Sequence, residues 1–234
     1  MKISEGGTSY EYDKNVSHMF EESVALIKAN KIKKSLKKTK ATIVLCKQAL
    51  EKHENTSEIR SKALLFGILF RGLENFINIK YKTNSSIWFK NTKLVENLWV
   101  ELCDCKDRFD YVSNYLRGEE LDWIRSEINN FETKFEFYFG KGLFFSSSFR
   151  SKNIECTICG NDLRSCKHIN GGIYDGKMCT GFATNITHVD HVAIVENPAD
   201  PRCRLWPWNQ EKGEDSSLKI TKATVLTFFR LDDF

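Results

Sequence analysis

The sequence predicts an α+β protein, with an N-terminal bundle of about four α-helices followed by a small β-rich module. Apolar residues recur at helical spacing over roughly the first 140 residues, and no proline occurs before Pro198. Beyond residue 180 the chain changes to short segments rich in β-branched residues, separated by turn-forming residues. Helices and strands are therefore segregated along the chain, as in the α+β class.

The first two predicted helices differ in the clarity of their apolar stripes. The first covers 18–50, and its stripe is weak between residues 28 and 40. In the second helix the apolar residues recur at alternating intervals of four and three residues, and Thr56 or Ser57 is the predicted N-cap. Its stripe consists of Ile59, Ala63, Phe66, Phe70, Leu73 and Ile77.

Two further stripes predict the third and fourth helices. The third ends before Gly118, which stands where a helix C-cap is expected. The fourth begins after Glu119 and Glu120, whose charges suit the positive end of a helix dipole, and it ends at Gly140. The stripes consist of Leu94, Leu98, Leu102, Cys105, Phe109, Val112 and Leu116 in the third helix, and of Leu121, Ile124, Ile128, Phe131, Phe135 and Tyr138 in the fourth.

Strands are predicted in the last quarter of the chain. Residues 186–195 form the clearest strand, 197–201 a turn, and 202–208 a returning strand. Residues 218–231 are expected to form one long strand or two short ones. The aromatic stretch 143–149 is interpreted as a packed join, because its phenylalanines are costly to leave in water.

The predicted organisation has three parts. Residues 1–15 form a polar leader, 16–145 the helical bundle, and 150–234 the β-rich module. Short connectors between the amphipathic segments predict antiparallel helices in the bundle.

Composition narrows the class of protein. Hydrophobic residues make up 41% of the chain and charged residues 28%, which is typical of a folded protein. The N-terminus has no apolar segment of the secretory type, and the longest apolar run, 63–70, is far too short to cross a membrane. Eight cysteines without a secretion signal indicate reduced thiols. These features predict a cytoplasmic protein that does not enter the membrane.

Four potential metal ligands lie within 13 residues, in a C-x2-C pair followed by C-x-H. They are Cys156, Cys159, Cys166 and His168. Three thiolates and one imidazole have the number and softness that tetrahedral Zn²⁺ prefers, and Gly160 suits the tight turn after the second cysteine. Cys179 is an alternative fourth ligand in place of His168. Because four protein ligands close the coordination shell, the pattern favours a structural zinc site in the β-rich module.

A second, open metal site is a hypothesis for His188, Asp190 and His191. Two imidazoles and a carboxylate are ligands of hydrolytic metal centres. In a regular strand, however, His188 and Asp190 face one side and His191 the other. A role at the surface or at a strand end is therefore the favoured interpretation.

A lysine-rich segment lies in the first predicted helical region. Seven lysines fall within 13 residues: Lys28, Lys31, Lys33, Lys34, Lys37, Lys38 and Lys40. Their field favours phosphate contacts, with Lys33, Lys34, Lys37 and Lys38 as candidate nucleic-acid-binding residues. A solvated helix face is the alternative, since the net charge of the chain is only +4.

The cysteine-rich segment resembles one found in uncharacterised bacterial and phage-associated proteins. Their pattern is C-x2-C-G-x5-C-x-H, then G-x2-Y-x-G-x2-C, then a turn with the sequence N-P-A-D-P-R-C-R, and the resemblance covers 154–208. Besides the metal-ligand candidates, the matching positions are Gly171, Tyr174, Gly176 and 195–204. The resemblance implies zinc binding and a bacterial or viral setting.

The helical half resembles HEPN-type bundles through the segment 69–76. Many of those bundles carry RNase activity in defence systems, through an arginine followed four to six residues later by a histidine. This sequence has no such pair, so the resemblance implies a non-catalytic scaffold.

These observations predict a zinc-stabilised binding protein, connected with a phage-related or defence system. Its partner is expected to be a protein, or a second copy bound through the helical bundle, or a nucleic acid bound through the lysine-rich helix. The sequence shows no arrangement of a nucleophile and a base that would indicate an enzyme. The alternative function is a metal-dependent nuclease or hydrolase using His188, Asp190 and His191.

Overall fold

A computed structural model describes residues 9–52, 55–212, 218–222 and 230–234. Its described part contains five α-helices followed by a small antiparallel sheet, which confirms the predicted α+β class. The helices are α1 (Ser9–Lys28), α2 (Ile32–Glu51), α3 (Ser57–Lys82), α4 (Thr92–Val112) and α5 (Glu119–Phe139). None of them combines the length and the apolar composition that a bilayer crossing requires.

The single helix predicted over 18–50 is two helices. The chain turns between Lys28 and Ile32, where Asn30 has a φ of 57°. Asparagine is one of the few residues other than glycine that adopts this left-handed conformation readily. Helix α1 also begins at Ser9, within the stretch that the sequence suggested as a polar leader; residues 1–8 lie outside the described part.

Helix α3 lies at the centre of the bundle. The hydroxyl oxygen of Thr56 caps it by accepting a hydrogen bond from the Ile59 backbone N–H at 3.3 Å, as the sequence predicts. The segment 63–70 is buried throughout, on every side of the helix. A helix that is apolar all round belongs in a protein core. The remaining helices therefore pack around α3.

The strands are β1 (Leu143–Cys156), β2 (Ile173–Tyr174), β3 (Lys177–Met178), β4 (Gly181–Val195), β5 (Arg204–Leu205), β6 (Gln210–Lys212) and β7 (Leu218–Ile220). The three-stranded sheet has the order β4-β1-β5, and β2–β3 and β6–β7 are separate hairpins. The stretch 143–149, interpreted as a join, belongs to β1. The returning strand expected over 202–208 is reduced to β5, because 3₁₀ turns begin at Pro201 and Pro207 on either side of it.

Strands β1 and β4 form a long two-stranded ribbon with two register shifts. Ser148 lies opposite His191 but Phe149 lies opposite Val189, so Asp190 is an extra residue in β4. In the same way Arg150 lies opposite His188 and Ser151 opposite Ile186, so Thr187 is also extra. Such β-bulges change which side chains of a strand share a face.

The base of the ribbon is fixed to the bundle beside α4. The indole N–H of Trp99 donates to the Pro201 carbonyl oxygen at 2.7 Å. The guanidinium of Arg202, which is buried, bonds Asp104 at 2.7 Å and Asp200 at 3.0 Å and also pairs with Asp107. Carboxylates around one buried guanidinium replace the water that it loses. This cluster joins α4 to the segment after β4.

A second buried arginine lies next to this contact. The Arg204 guanidinium stands 4.6 Å from the ring centre of Trp99 and 4.8 Å from that of Trp206. It donates to the carbonyl oxygens of Phe139 and Gly140 at the C-terminal end of α5. Aromatic faces and a helix C-terminus both attract a cation. Burial lowers the pKa of Arg204 to about 10, which leaves the side chain charged at neutral pH.

Candidate metal centre

Backbone hydrogen bonds bring the predicted metal ligands together at the far end of the ribbon. Strand β1 ends at Cys156, whose carbonyl oxygen accepts from the Gly160 N–H at 2.8 Å, and Gly160 has a φ of 73°. The Cys166 N–H donates to the Asp162 carbonyl oxygen at 3.0 Å and starts a second turn. These two turns place the C-x2-C and C-x-H pairs opposite each other.

The four donor atoms of Cys156, Cys159, Cys166 and His168 lie within 4.8 Å of one another. Donors of a tetrahedral zinc site are about 3.8 Å apart when the zinc–sulfur bonds are about 2.3 Å long. The distance from Cys156 Sγ to His168 Nδ1 is 3.7 Å, which matches this spacing. The cluster can therefore hold a metal ion. Among the described residues it is the one group of this kind.

Cys179 is a fifth sulfur at the same site. Its Sγ lies 3.5 Å from that of Cys156, and its side chain is completely buried. Backbone hydrogen bonds with Gly171 and Gly172 hold it there. The alternative between His168 and Cys179 as the fourth ligand therefore stays open, because both lie within reach of Cys156.

The cysteines of the cluster differ in acidity. Burial opposes ionisation of Cys156, but hydrogen bonds from the backbone N–H groups of Cys159 and Ile158 outweigh it and lower its pKa to about 6. Burial, together with the hydrogen bond to the Cys156 sulfur, raises the pKa of Cys179 to about 11. Cys156 is therefore the more acidic of the two thiols, and its pKa is the lower of the pair.

The metal-ligand segment is docked onto the bundle by its hairpin β2–β3. The Arg60 guanidinium of α3 bonds Asp175 at 2.8 Å, and the Tyr111 hydroxyl of α4 donates to the Gly171 carbonyl oxygen at 2.6 Å. Gly176 has a φ of 73°, and a Cβ there would approach Leu50 to 2.9 Å. The Tyr174 ring meets the His168 ring edge-on at 4.7 Å. The pattern G-x2-Y-x-G thus shapes the side that contacts α3 and α4.

The residues of the second predicted site lie along β4, far from a closed ligand set. His188 Nε2 is 3.7 Å from Asp190 Oδ1, and Asp190 also pairs with Arg150 at 3.1 Å. The expectation that His191 faces away from His188 is wrong. Asp190 is the extra residue of a bulge, so His191 lies opposite Ser148 and His188 lies opposite Arg150. Ser148 and Arg150 are two residues apart on β1 and share a face, so the two histidines also lie on one face.

The candidate nucleic-acid-binding lysines lie on the first turns of α2. Lys33, Lys34 and Lys37 are exposed and have no carboxylate within 4 Å among the described residues. Lys38 differs, because it pairs with Glu22 of α1. The first three lysines therefore carry positive charge without an ion pair among the described residues, although the charge of Lys34 also acts on Glu22.

Sequence reasoning did not find the residues that dock the metal-ligand segment. Arg60, Tyr111 and Asp175 have no spacing pattern that links them, since they meet only through the packing of α3, α4 and the β2–β3 hairpin. The glycines at 171 and 176 were the detectable signal for this contact. Comparison with models of known families, with curated proteins and with solved structures finds no match to this chain.

Proposed function

We propose that this chain is a zinc-stabilised binding protein, in which one Zn²⁺ holds the segment between β1 and β4 against the helical bundle. The observation that carries the proposal is the group of four soft donors within 4.8 Å of one another. Thiolate and imidazole donors at this spacing favour Zn²⁺ over Mg²⁺ or Ca²⁺, which take oxygen ligands.

A structural role for the metal is supported by the number of donors. Four protein ligands fill a tetrahedral shell, and Cys179 adds a further sulfur 3.5 Å from Cys156. A catalytic zinc keeps one position for water or substrate, whereas this cluster supplies more protein donors than positions. The segment 157–180 also has little apolar material of its own, so a metal would supply much of its stability.

The proposed binding activity follows from the contrast between anchored and free surfaces. Both ends of the β1–β4 ribbon are fixed to the bundle, while its middle is exposed. A rigidly held, exposed ribbon is suited to recognition, because little order is lost on binding. The predicted bacterial or phage-associated setting is retained as part of this proposal.

The test is the metal content per chain of the purified protein, followed by cobalt replacement. One equivalent of zinc and an intense thiolate-to-cobalt charge-transfer band are expected. His168→Ala and Cys179→Ser, measured in parallel, identify the fourth ligand: the variant that removes it should weaken metal affinity by about 100-fold or more. A segment 157–180 that stays folded without any metal would contradict the proposal.

A hydrolase is the second candidate, favoured by one observation. The register of β4 brings His188 and His191 to the same face, with Asp190 beside His188 at 3.7 Å. A second equivalent of metal without thiolate bands, lost in His188→Ala together with hydrolysis of a nucleic acid, would establish it. One thiolate-rich equivalent and no turnover would favour the binding protein.

A further inference from the structure

The two bulges of β4 sort the side chains of the ribbon into an apolar and a polar face. Residues opposite each other in an antiparallel pair point to the same face, and faces alternate along β1. The odd-numbered residues of β1 from 145 to 155 lie opposite six residues of β4. These six are Ile194, Val192, Val189, Ile186, Thr184 and Phe182. Five of the six are large apolar residues.

This apolar surface, together with Phe145 and Phe149 of β1, is the outer face of the ribbon. The opposite, inner face is directed toward the protein at its two ends, where Phe144 and Cys156 are buried, while Arg150 and His188 in its middle are exposed. On the outer face the exposed fraction is 42% for Phe149, 59% for Val189 and 61% for Phe182. Such exposure is unusual for a row of neighbouring apolar side chains, and no described residue covers it.

The exposed apolar area of the outer face limits which partners can cover it. Six large side chains are each about half exposed: Phe149, Phe182, Ile186, Val189, Val192 and Ile194. At typical side-chain areas they expose roughly 600 Å² of apolar surface per chain. Two such faces packed together would bury about 1,200 Å², the lower limit of a standard specific interface.

We infer that the outer face is the contact between two copies of this chain, packed ribbon on ribbon about a two-fold axis. The inference rests on the proposed binding function and names its partner, and it places self-association on the ribbon rather than on the helices. From the pair Phe145–Ile194 to the pair Asn153–Thr184 the outer face carries no charged side chain. The surface that packs against it must therefore also be uncharged. A second copy of the same face meets that condition.

The shape of the face is also self-complementary. Phe149 stands at the middle of the apolar row, and its neighbours on the same face of β1 are the small residues Ser147 and Ser151. A two-fold axis near the paired residues Phe149 and Val189 would place the Phe149 ring of each copy against the small serine side chains beside Phe149 in the other copy. In a closed pair of this kind, every contact occurs twice. The four strands would form a small sandwich, with the apolar side chains between the two sheets.

The test is the oligomeric state of the zinc-loaded full chain by sedimentation velocity across concentrations from about 1 to 100 μM. A concentration-dependent dimer is expected. Val189→Glu should weaken dimerisation by about 100-fold or more, because each pair would bury two carboxylates without partners. Val44→Glu is the matched control: Val44 is 51% exposed on α2, away from the ribbon, and the change should leave the dimer intact.

A second variant guards against local unfolding of the ribbon. Ile186→Ser removes apolar area without adding charge and should weaken the dimer by about tenfold. Metal content and helical circular dichroism are measured for every variant, so loss of the zinc fold is recognised separately from loss of the interface. A wild-type chain that is monomeric at 100 μM with its zinc bound would overturn the inference and leave the zinc proposal standing. Equal dimerisation of Val189→Glu and wild type would overturn it as well.

Discussion

Helix α3 buries apolar side chains on all sides in the bundle, whereas few residues of the region from β1 to β6 are buried. In this second region the buried residues are Phe144, Cys156, Met178, Cys179, Arg202, Cys203, Arg204, Leu205, Trp206 and Asn209. Most of them lie near the metal-ligand cluster or beside α4. The bundle therefore has a hydrophobic core of its own, while the β-rich region depends on a metal and on docking.

The sharpest way to test this comparison is to remove the metal. Chelation, or Cys159→Ser, should unfold the segment 157–180, because structural zinc contributes about 10–16 kcal/mol to the folding of small sites. The helices should keep their circular dichroism. Thiol labelling read by mass spectrometry should then modify the cysteines of the cluster and spare Cys103 and Cys105, which are buried in α4.

Cys103→Ala is the control for this experiment, since Cys103 lies outside the metal-ligand cluster and its loss should leave the metal content unchanged. Simultaneous loss of the helical signal on chelation would show that the two regions do not differ in the way described.

The converse experiment weakens the bundle and spares the metal. Phe76 of α3 is fully buried and meets the rings of Trp123 and Phe131 edge-on. Phe76→Ala should lower the free energy of unfolding by about 3–5 kcal/mol, because it leaves a cavity between α3 and α5. Phe137→Ala, at a residue that is 81% exposed, should change it by less than about 0.5 kcal/mol. Urea denaturation measures both, and the folded variants should retain their metal.

The contact between the two regions can be broken at Arg202. Arg202→Met leaves the carboxylates of Asp104 and Asp107 without their shared cation and should destabilise the protein by about 2–3 kcal/mol. Hydrogen exchange should show the loss first in α4 and in 200–206. Arg125→Met removes an exposed pair with Asp110 and should cost less than about 1 kcal/mol. Equal effects of the two changes would mean that the buried contact does not join the regions.

The smallest effect on stability is expected at the lysine-rich start of α2. Replacing Lys33, Lys34 and Lys37 by glutamate should change the free energy of unfolding by less than about 1 kcal/mol, since these side chains are exposed and unpaired among the described residues. If this surface binds nucleic acid, affinity should fall and its salt slope should flatten by about 0.9 per lost phosphate contact on duplex DNA. Replacing the exposed lysines Lys47, Lys90 and Lys93 by glutamate changes the net charge equally and serves as the control.

The sequence predicted the parts of the fold that local pattern encodes. The stripe of α3 and the four clustered ligands depend on spacing alone, and the structure reproduces both. The other two stripes are reproduced in part: α4 ends at Val112, before the predicted Leu116, and Tyr138 of α5 is exposed. The predicted helix C-cap at Gly118 is wrong, because Gly118 precedes α5 as its N-cap.

The break between α1 and α2 was missed because it contains neither glycine nor proline and depends on the left-handed Asn30. Strand β1 was missed because Ser146, Ser147 and Ser148 do not have the β-branched composition that suggests a strand.

The faces of β4 lay beyond sequence reasoning for a different reason. A period of two assigns Ile186 and Val189 to opposite faces, and it separates His188 from His191 in the same way. The register shows the reverse in both cases, because Asp190 and Thr187 are extra residues. Bulges of this kind depend on the pairing partner, and the partner strand β1 was not recognised.

The two bulges also determine how β4 would respond to a change in its length. Loss of one residue between Thr187 and His191 can be absorbed by straightening a bulge, after which the pairing on either side continues as before. A deletion elsewhere in β4, for example at Ala193, removes a paired residue and not an extra one. It would move the residues between the deletion and the next bulge to the opposite face. Variants of this chain that lack one residue within 187–191 would therefore keep the same inward and outward side chains.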